Sequence, residues 1–135
     1  MKTKRTATVL TVIAIIAIGY FAIPKLIGLE QSVKGFSNFE EVIGIPNDLA
    51  RYTTGVVELI TAILLVLSLT VAKRAETTHI AGYLLLSGTM VGGLLTEFLI
   101  RPEPKVMLVY IAIVLLAIAI YQLLNTHTLK ALDNE

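Results

Sequence analysis

Six side chains able to bind or exchange protons stand in or beside runs of sequence that are otherwise apolar: Lys25, Arg51, Tyr52, Glu58, Glu97 and Arg101. Glu58 is the deepest. It lies about nine residues, roughly 14 Å at helical rise, into an apolar run that begins near Leu49. A carboxylate near a bilayer centre costs about 2.5–3.5 kcal/mol on insertion scales, so it must face other protein and find a partner. Thr54, Gly55, Thr61 and Ala62 lie one turn away, and Arg51 two turns away on a similar face. That stripe of polar and small residues must point inward. Glu58 is then either a buried structural group or a carboxylate that binds a ligand or handles a proton. Lys25, after Pro24, can snorkel to the headgroups or turn inward toward Glu58. Glu97 and Arg101 are four apart, with the acid first, the favourable order for a helical ion pair. These groups, with Tyr52 as a hydrogen-bond donor, fall near one mouth of whatever structure holds them.

The elements that hold them follow from four apolar runs, about 7–27, 49–71, 80–100 and 106–124. Each is long enough to cross a hydrocarbon core of about 30 Å as a helix. In lipid the backbone must satisfy its own hydrogen bonds, and no alternating barrel pattern competes. Short second and third connections (AKRAETT and RPEPK) make sequential helices antiparallel neighbours. The fold class is all-α: one membrane-embedded antiparallel four-helix bundle spanning 1–135. The long first connection holds Val33, Phe36, Phe39, Val42 and Ile43 at spacings of about three or four. This predicts a short amphipathic helix over about 31–42, as a linker on the membrane surface or a lid over the bundle mouth. Asn47 or Asp48 is positioned to cap the second long helix.

Composition excludes other classes. Of 135 residues, 56% are hydrophobic and only 16% charged, which argues against a soluble globule and a disordered chain. With no Cys there is no disulfide scaffold, thiol redox motif, iron–sulfur cluster or Cys-based zinc site. Eleven basic residues against ten acidic give no sign of a nucleic-acid partner. No metal site, nucleotide loop or nucleophile–base pair is visible, so no catalytic residue is assigned. Lys2, Lys4, Arg5, Lys73, Arg74 and Lys130 would share one side, and Lys25, Lys34, Arg51, Arg101 and Lys105 the other. The basic start and the acidic first loop place both termini in the cytoplasm. Ala17-Ile18-Gly19 is a poor cleavage site, so the first run reads as a retained helix rather than a signal peptide.

Gly88 and Gly92 form a GxxxG pair, for packing inside the bundle or for a homodimer face. Tyr20, Tyr52, Tyr83, Tyr110 and Tyr121 read as interfacial aromatics, and His79 and His127 as exposed interfacial histidines.

The run Pro24-Lys25-Leu26-Ile27-Gly28, the loop ending Gly44-Ile45-Pro46, and Tyr52-Thr53-Thr54-Gly55-Val56-Val57-Glu58-Leu59 resemble the DoxX-like family. So does Met90-Val91-Gly92-Gly93-Leu94-Leu95-Thr96, although Glu97 stands where that family often has His. The resemblance covers almost the whole chain. It implies a small bacterial inner-membrane bundle with Lys25 and Glu58 as candidate functional positions. The family is named for a subunit of a thiosulfate:quinone oxidoreductase, and some relatives are linked to redox-stress complexes. With no metal ligands and no cofactor of its own, the chain reads first as a non-catalytic subunit, or a small-molecule or quinone-binding module, beside a membrane redox partner. Two alternatives stay open. One is a small transporter or channel with Glu58 as the titrating or cation-binding group. The other is a purely structural bundle.

Overall fold

The structure, a computed structural model, describes residues 2–71 and 75–125. Lys73, Arg74, His127 and Lys130 lie outside these, as do the side chains of Lys2 and Lys4. The elements are α1 (Lys2–Ile27), α2 (Glu30–Gly35), α3 (Phe39–Ile43), α4 (Asn47–Thr70), α5 (Ala75–Leu95), a π-helical turn (Thr96–Ile100) and α6 (Val106–Leu124). Among the described residues four segments are long and apolar enough to cross a membrane: Arg5–Ile27, Asn47–Thr70, Ala75–Ile100 and Val106–Leu124. The expected all-helical bundle is present. The fourth helix has its expected bounds. The first and third begin earlier than their apolar runs, because polar residues such as Glu76 in the first turn of α5 suit a helix N-terminus.

Sequential long helices pack as neighbours in the order α1, α4, α5, α6. The shared core includes Ile18, Leu65, Leu86, Met90, Leu115 and Ala119. Two glycines set how closely helices approach. A Cβ on Gly55 would sit 3.0 Å from Lys25 Cβ and from Leu26 Cδ2, and one on Gly82 would sit 2.8 Å from Leu65 Cδ2. Gly88 and Gly92 do not pack inside the bundle, since a Cβ on either would meet nothing within 4 Å.

The first connection differs from the single amphipathic helix expected over 31–42. It is a strap of two short helices, α2 and α3, folded across one end of the bundle. Ser37 breaks the helix between them: its hydroxyl donates 2.7 Å to Lys34 O and lies 2.9 Å from Asn38 Oδ1. Phe36 and Phe39 stack at 4.9 Å between ring centres and bury together against Ala50. Asn47 does not cap α4. Its Oδ1 instead accepts the Glu40 N–H at 2.9 Å, and its Nδ2 donates to Ser37 O at 3.0 Å, tying strap to bundle. Gly44, at φ 75°, ends α3 in a left-handed turn.

At the opposite end a polar cluster joins α1, α5 and α6. The Thr11 and Tyr83 hydroxyls lie 2.7 Å apart, and Gln122 Nε2 donates to Ala7 O at 2.8 Å and to Tyr83 Oη at 3.2 Å. Tyr83 is therefore fully buried and not an interfacial aromatic. His79 is half-buried, packed edge-on against Tyr83 at 4.8 Å, with Nε2 buried and unpaired, and is not the exposed histidine expected.

Candidate functional site: a charged cavity under the strap

Lys25 sits in the last turn of α1, which ends at Gly28 (φ 75°), where the Gly28 and Leu29 N–H groups both donate to Pro24 O. Its ammonium turns inward. Nζ lies 2.9 Å from Glu58 Oε1 and 3.0 Å from Oε2, donates to Phe21 O at 3.1 Å, and sits 5.4 Å from the Phe21 ring centre. Two features produce that direction. Gly55 lets α1 and α4 close together beside Lys25. Arg51 Nη1 donates to the Lys25 carbonyl and holds its backbone. The carboxylate of Glu58, 4% exposed, has both oxygens engaged by one cation that is itself 16% exposed.

The second pair is built by the π-helical turn that ends the third span. Inserting the wider turn swings residues off the α-helical register, and such turns recur at functional sites. Glu97 is buried. Its Oε1 lies 2.6 Å from Arg101 Nη1, and its Oε2 accepts the Lys105 N–H at 2.8 Å. Arg101 Nε donates to Gly35 O on the strap at 3.1 Å. The guanidinium thus joins three segments: the strap, the π turn and, through Glu97, the start of α6.

Between the two pairs lies a cavity of about 500 Å³. Lys25, Glu58, Glu97 and Arg101 all line it, so four of the six expected residues come together. Arg51 and Tyr52 do not. Arg51 is buried with its guanidinium carbon 4.1 Å from the Tyr52 ring centre, and pairs with Asp48 at 3.5 Å. It holds the end of α1, where a cation suits the last carbonyls of a helix. Tyr52 is 46% exposed beneath it.

Of the remaining wall, the sequence pointed to Thr54 on the inward stripe and to Phe36 and Phe39 in the first connection, and missed Phe21, Leu85, Thr89 and Thr96. Phe36 and Phe39 form the roof, Phe21 and Leu85 the apolar end, and threonines the polar flank. Thr54, Thr89 and Thr96 donate their hydroxyl protons within their own helices, to Ala50 O, Leu85 O and Gly92 O at 2.8, 2.6 and 2.9 Å. Each retains oxygen lone pairs. The wall therefore offers cationic N–H donors, hydroxyl acceptors and aromatic faces, with every charge matched by its opposite. Among the described residues no group of three or more His, Asp or Glu could hold a metal ion. The volume lies within the range of small-molecule pockets, about 300–1,000 Å³.

The sequence model of the DoxX-like family matches residues 9–120, from α1 into α6. No curated protein and no solved structure matches the chain.

Proposed function

The chain belongs to the DoxX-like family, and from that premise we propose that it is a non-catalytic membrane subunit that binds a small molecule of the quinone class for a redox partner protein. The observation that carries this reading is the charge-balanced cavity between Lys25–Glu58 and Glu97–Arg101. A bound quinone would supply reversible two-electron chemistry that no side chain here can perform. The chain's own part is to hold it. Lys25 and Arg101 would present positive charge to the ring carbonyl oxygens, with the Arg101 guanidinium as hydrogen-bond donor, and Phe21, Phe36 and Phe39 would enclose the ring. The strap excludes water from the end it covers. The reading places the protein in a bacterial inner membrane with both termini cytoplasmic and the strap outside.

A transporter built on Glu58 receives less support, because both its oxygens already hold Lys25. A homodimer through Gly88 and Gly92 is compatible with the binding reading, since both glycines are exposed.

The test is binding of a quinone analogue to the protein in lipid nanodiscs, followed for the wild type, Lys25→Met and Lys25→Met/Glu58→Gln. The binding reading expects both variants to lose affinity tenfold or more, even where the double variant regains stability. A purely structural bundle expects stability to change while no wild-type affinity exists to be lost. Isolation from native membranes with a redox protein attached would identify the partner.

A further inference from the structure

The cavity is closed at the strap and open on one side. Phe36 and Phe39, 6% and 9% exposed, seal the roof, and Asn47 and Arg101 fasten it. On the side between α4 and α5 the lining includes Thr53, Leu84, Gly88 and Gly92, and all four are exposed. Leu84, Gly88 and Gly92 recur every four residues, so they form one flank of α5. No side chain fills that flank at Gly88, Gly92 or Gly93, where a Cβ would meet nothing within 4 Å. Gly88 lies roughly 18 Å along the span from Ile100 at helical rise, near the middle of the hydrocarbon. An opening at that depth faces lipid tails, not water.

We propose that this opening is a lateral window through which a membrane-dissolved ligand enters, and that the ligand carries an uncharged head and a single hydrocarbon tail. The proposal rests on the binding function above and adds the route and the ligand class. The head is uncharged because Lys25 and Arg101 each already have a carboxylate, so a charged head would leave water with no counter-charge waiting. The tail remains in the gap between α4 and α5, against Val57, Leu84 and the bare backbone of Gly88 and Gly92. A second chain has no place in a cavity of about 500 Å³ already holding a ring.

The experiment compares three probes at equal membrane mole fraction in nanodiscs: decylubiquinone, its tailless benzoquinone head, and decanoate. The variants are Gly88→Leu and Gly92→Leu, which fill the window. Gly19→Leu is the control, since its site is also open space but lies on α1 outside the cavity lining. The wild type and Gly19→Leu are expected to prefer the decyl compound over its tailless head by tenfold or more and to reject decanoate. Gly88→Leu and Gly92→Leu are expected to lower that preference at least tenfold. Equal affinity of wild type for both quinones overturns the window while leaving the binding function standing. Tight decanoate binding overturns the uncharged head. A preference untouched in the window variants, or a wild-type dimer that those variants split while ligand preference survives, assigns the flank to protein contact and overturns the proposal. No binding of either quinone overturns the binding function and the window together.

Discussion

Removing Lys25 and removing Glu58 are not equivalent perturbations, although each breaks the same ion pair. Lys25→Met leaves a carboxylate that is 4% exposed and has lost both its contacts at 2.9 and 3.0 Å. Stranding one partner of a buried pair costs about 3–5 kcal/mol. Glu58→Gln leaves an ammonium that is 16% exposed, keeps the Phe21 carbonyl at 3.1 Å and the Phe21 ring, and has a stem long enough to reach the headgroups. That loss is of a charged hydrogen bond, about 1.5–3 kcal/mol. Lys25→Met/Glu58→Gln strands neither charge, so its cost should fall short of the summed single costs by about 2 kcal/mol, within the span seen for residues in contact. The assay is reversible unfolding in bicelles, with two probes coinciding to establish a two-state transition. Lys25→Met must be the more damaging of the two single variants. A double variant whose loss equals the sum of the single losses within about 0.5 kcal/mol would refute the pairing. A Glu58→Gln more damaging than Lys25→Met would refute the depth argument on which the asymmetry stands.

Other substitutions probe how the site is held. Gly82→Ala drives a methyl group into Leu65 and should cost about 1–3 kcal/mol by overpacking, whereas Gly88→Ala in open space should gain about 0.5–1 kcal/mol of helix stability; the same unfolding assay reads both. Tyr83→Phe removes the hydroxyl that meets Thr11 and Gln122 and should cost about 0.6 kcal/mol, at most about 1.7. Gly35→Ala places a methyl group against the Arg101 guanidinium and should release the strap. Amide hydrogen exchange should then rise over residues 30–43 while α4 and α5 keep their protection.

The helices were legible because bilayer thickness imposes a length that apolar runs reveal directly. Glu58 and the Glu97–Arg101 pair were legible for similar reasons: one is too deep to be idle, and the other follows from helical spacing. The direction of Lys25 was not. Whether a lysine in a last helical turn snorkels or folds inward depends on what lies across the interface, here Gly55 against its Cβ and Arg51 on its carbonyl. Arg51 misled for the same reason. It shares a face with Glu58, yet its guanidinium is taken by the end of α1 rather than by the cavity. The Thr11–Tyr83–Gln122 cluster did leave a signal, an amide and a hydroxyl inside the fourth and first apolar runs, which attention to charge alone passed over. The GxxxG pair is a pattern without a direction: Gly55 and Gly82, outside any such pattern, bring helices together, while Gly88 and Gly92 leave a gap.

That gap and the two ion pairs belong to one physical arrangement. A bundle this small cannot surround a charge with protein on every side, so each buried cation must bring its own compensation. Lys25 takes Glu58 and a helix carbonyl; Arg101 takes Glu97 and a strap carbonyl. Their positions are therefore fixed by the fold and do not wait for a ligand. Fixed donors in an apolar enclosure favour a partner that brings acceptors but no charge, since a second anion would have to compete with carboxylates already in place. The same compensation makes these side chains poor carriers of ions, because moving one would strand its counter-charge in lipid. On the proposed function, side chains anchored in this way would orient a neutral molecule delivered from the bilayer, and the open flank of α5 at Gly88 and Gly92 would leave room for its delivery.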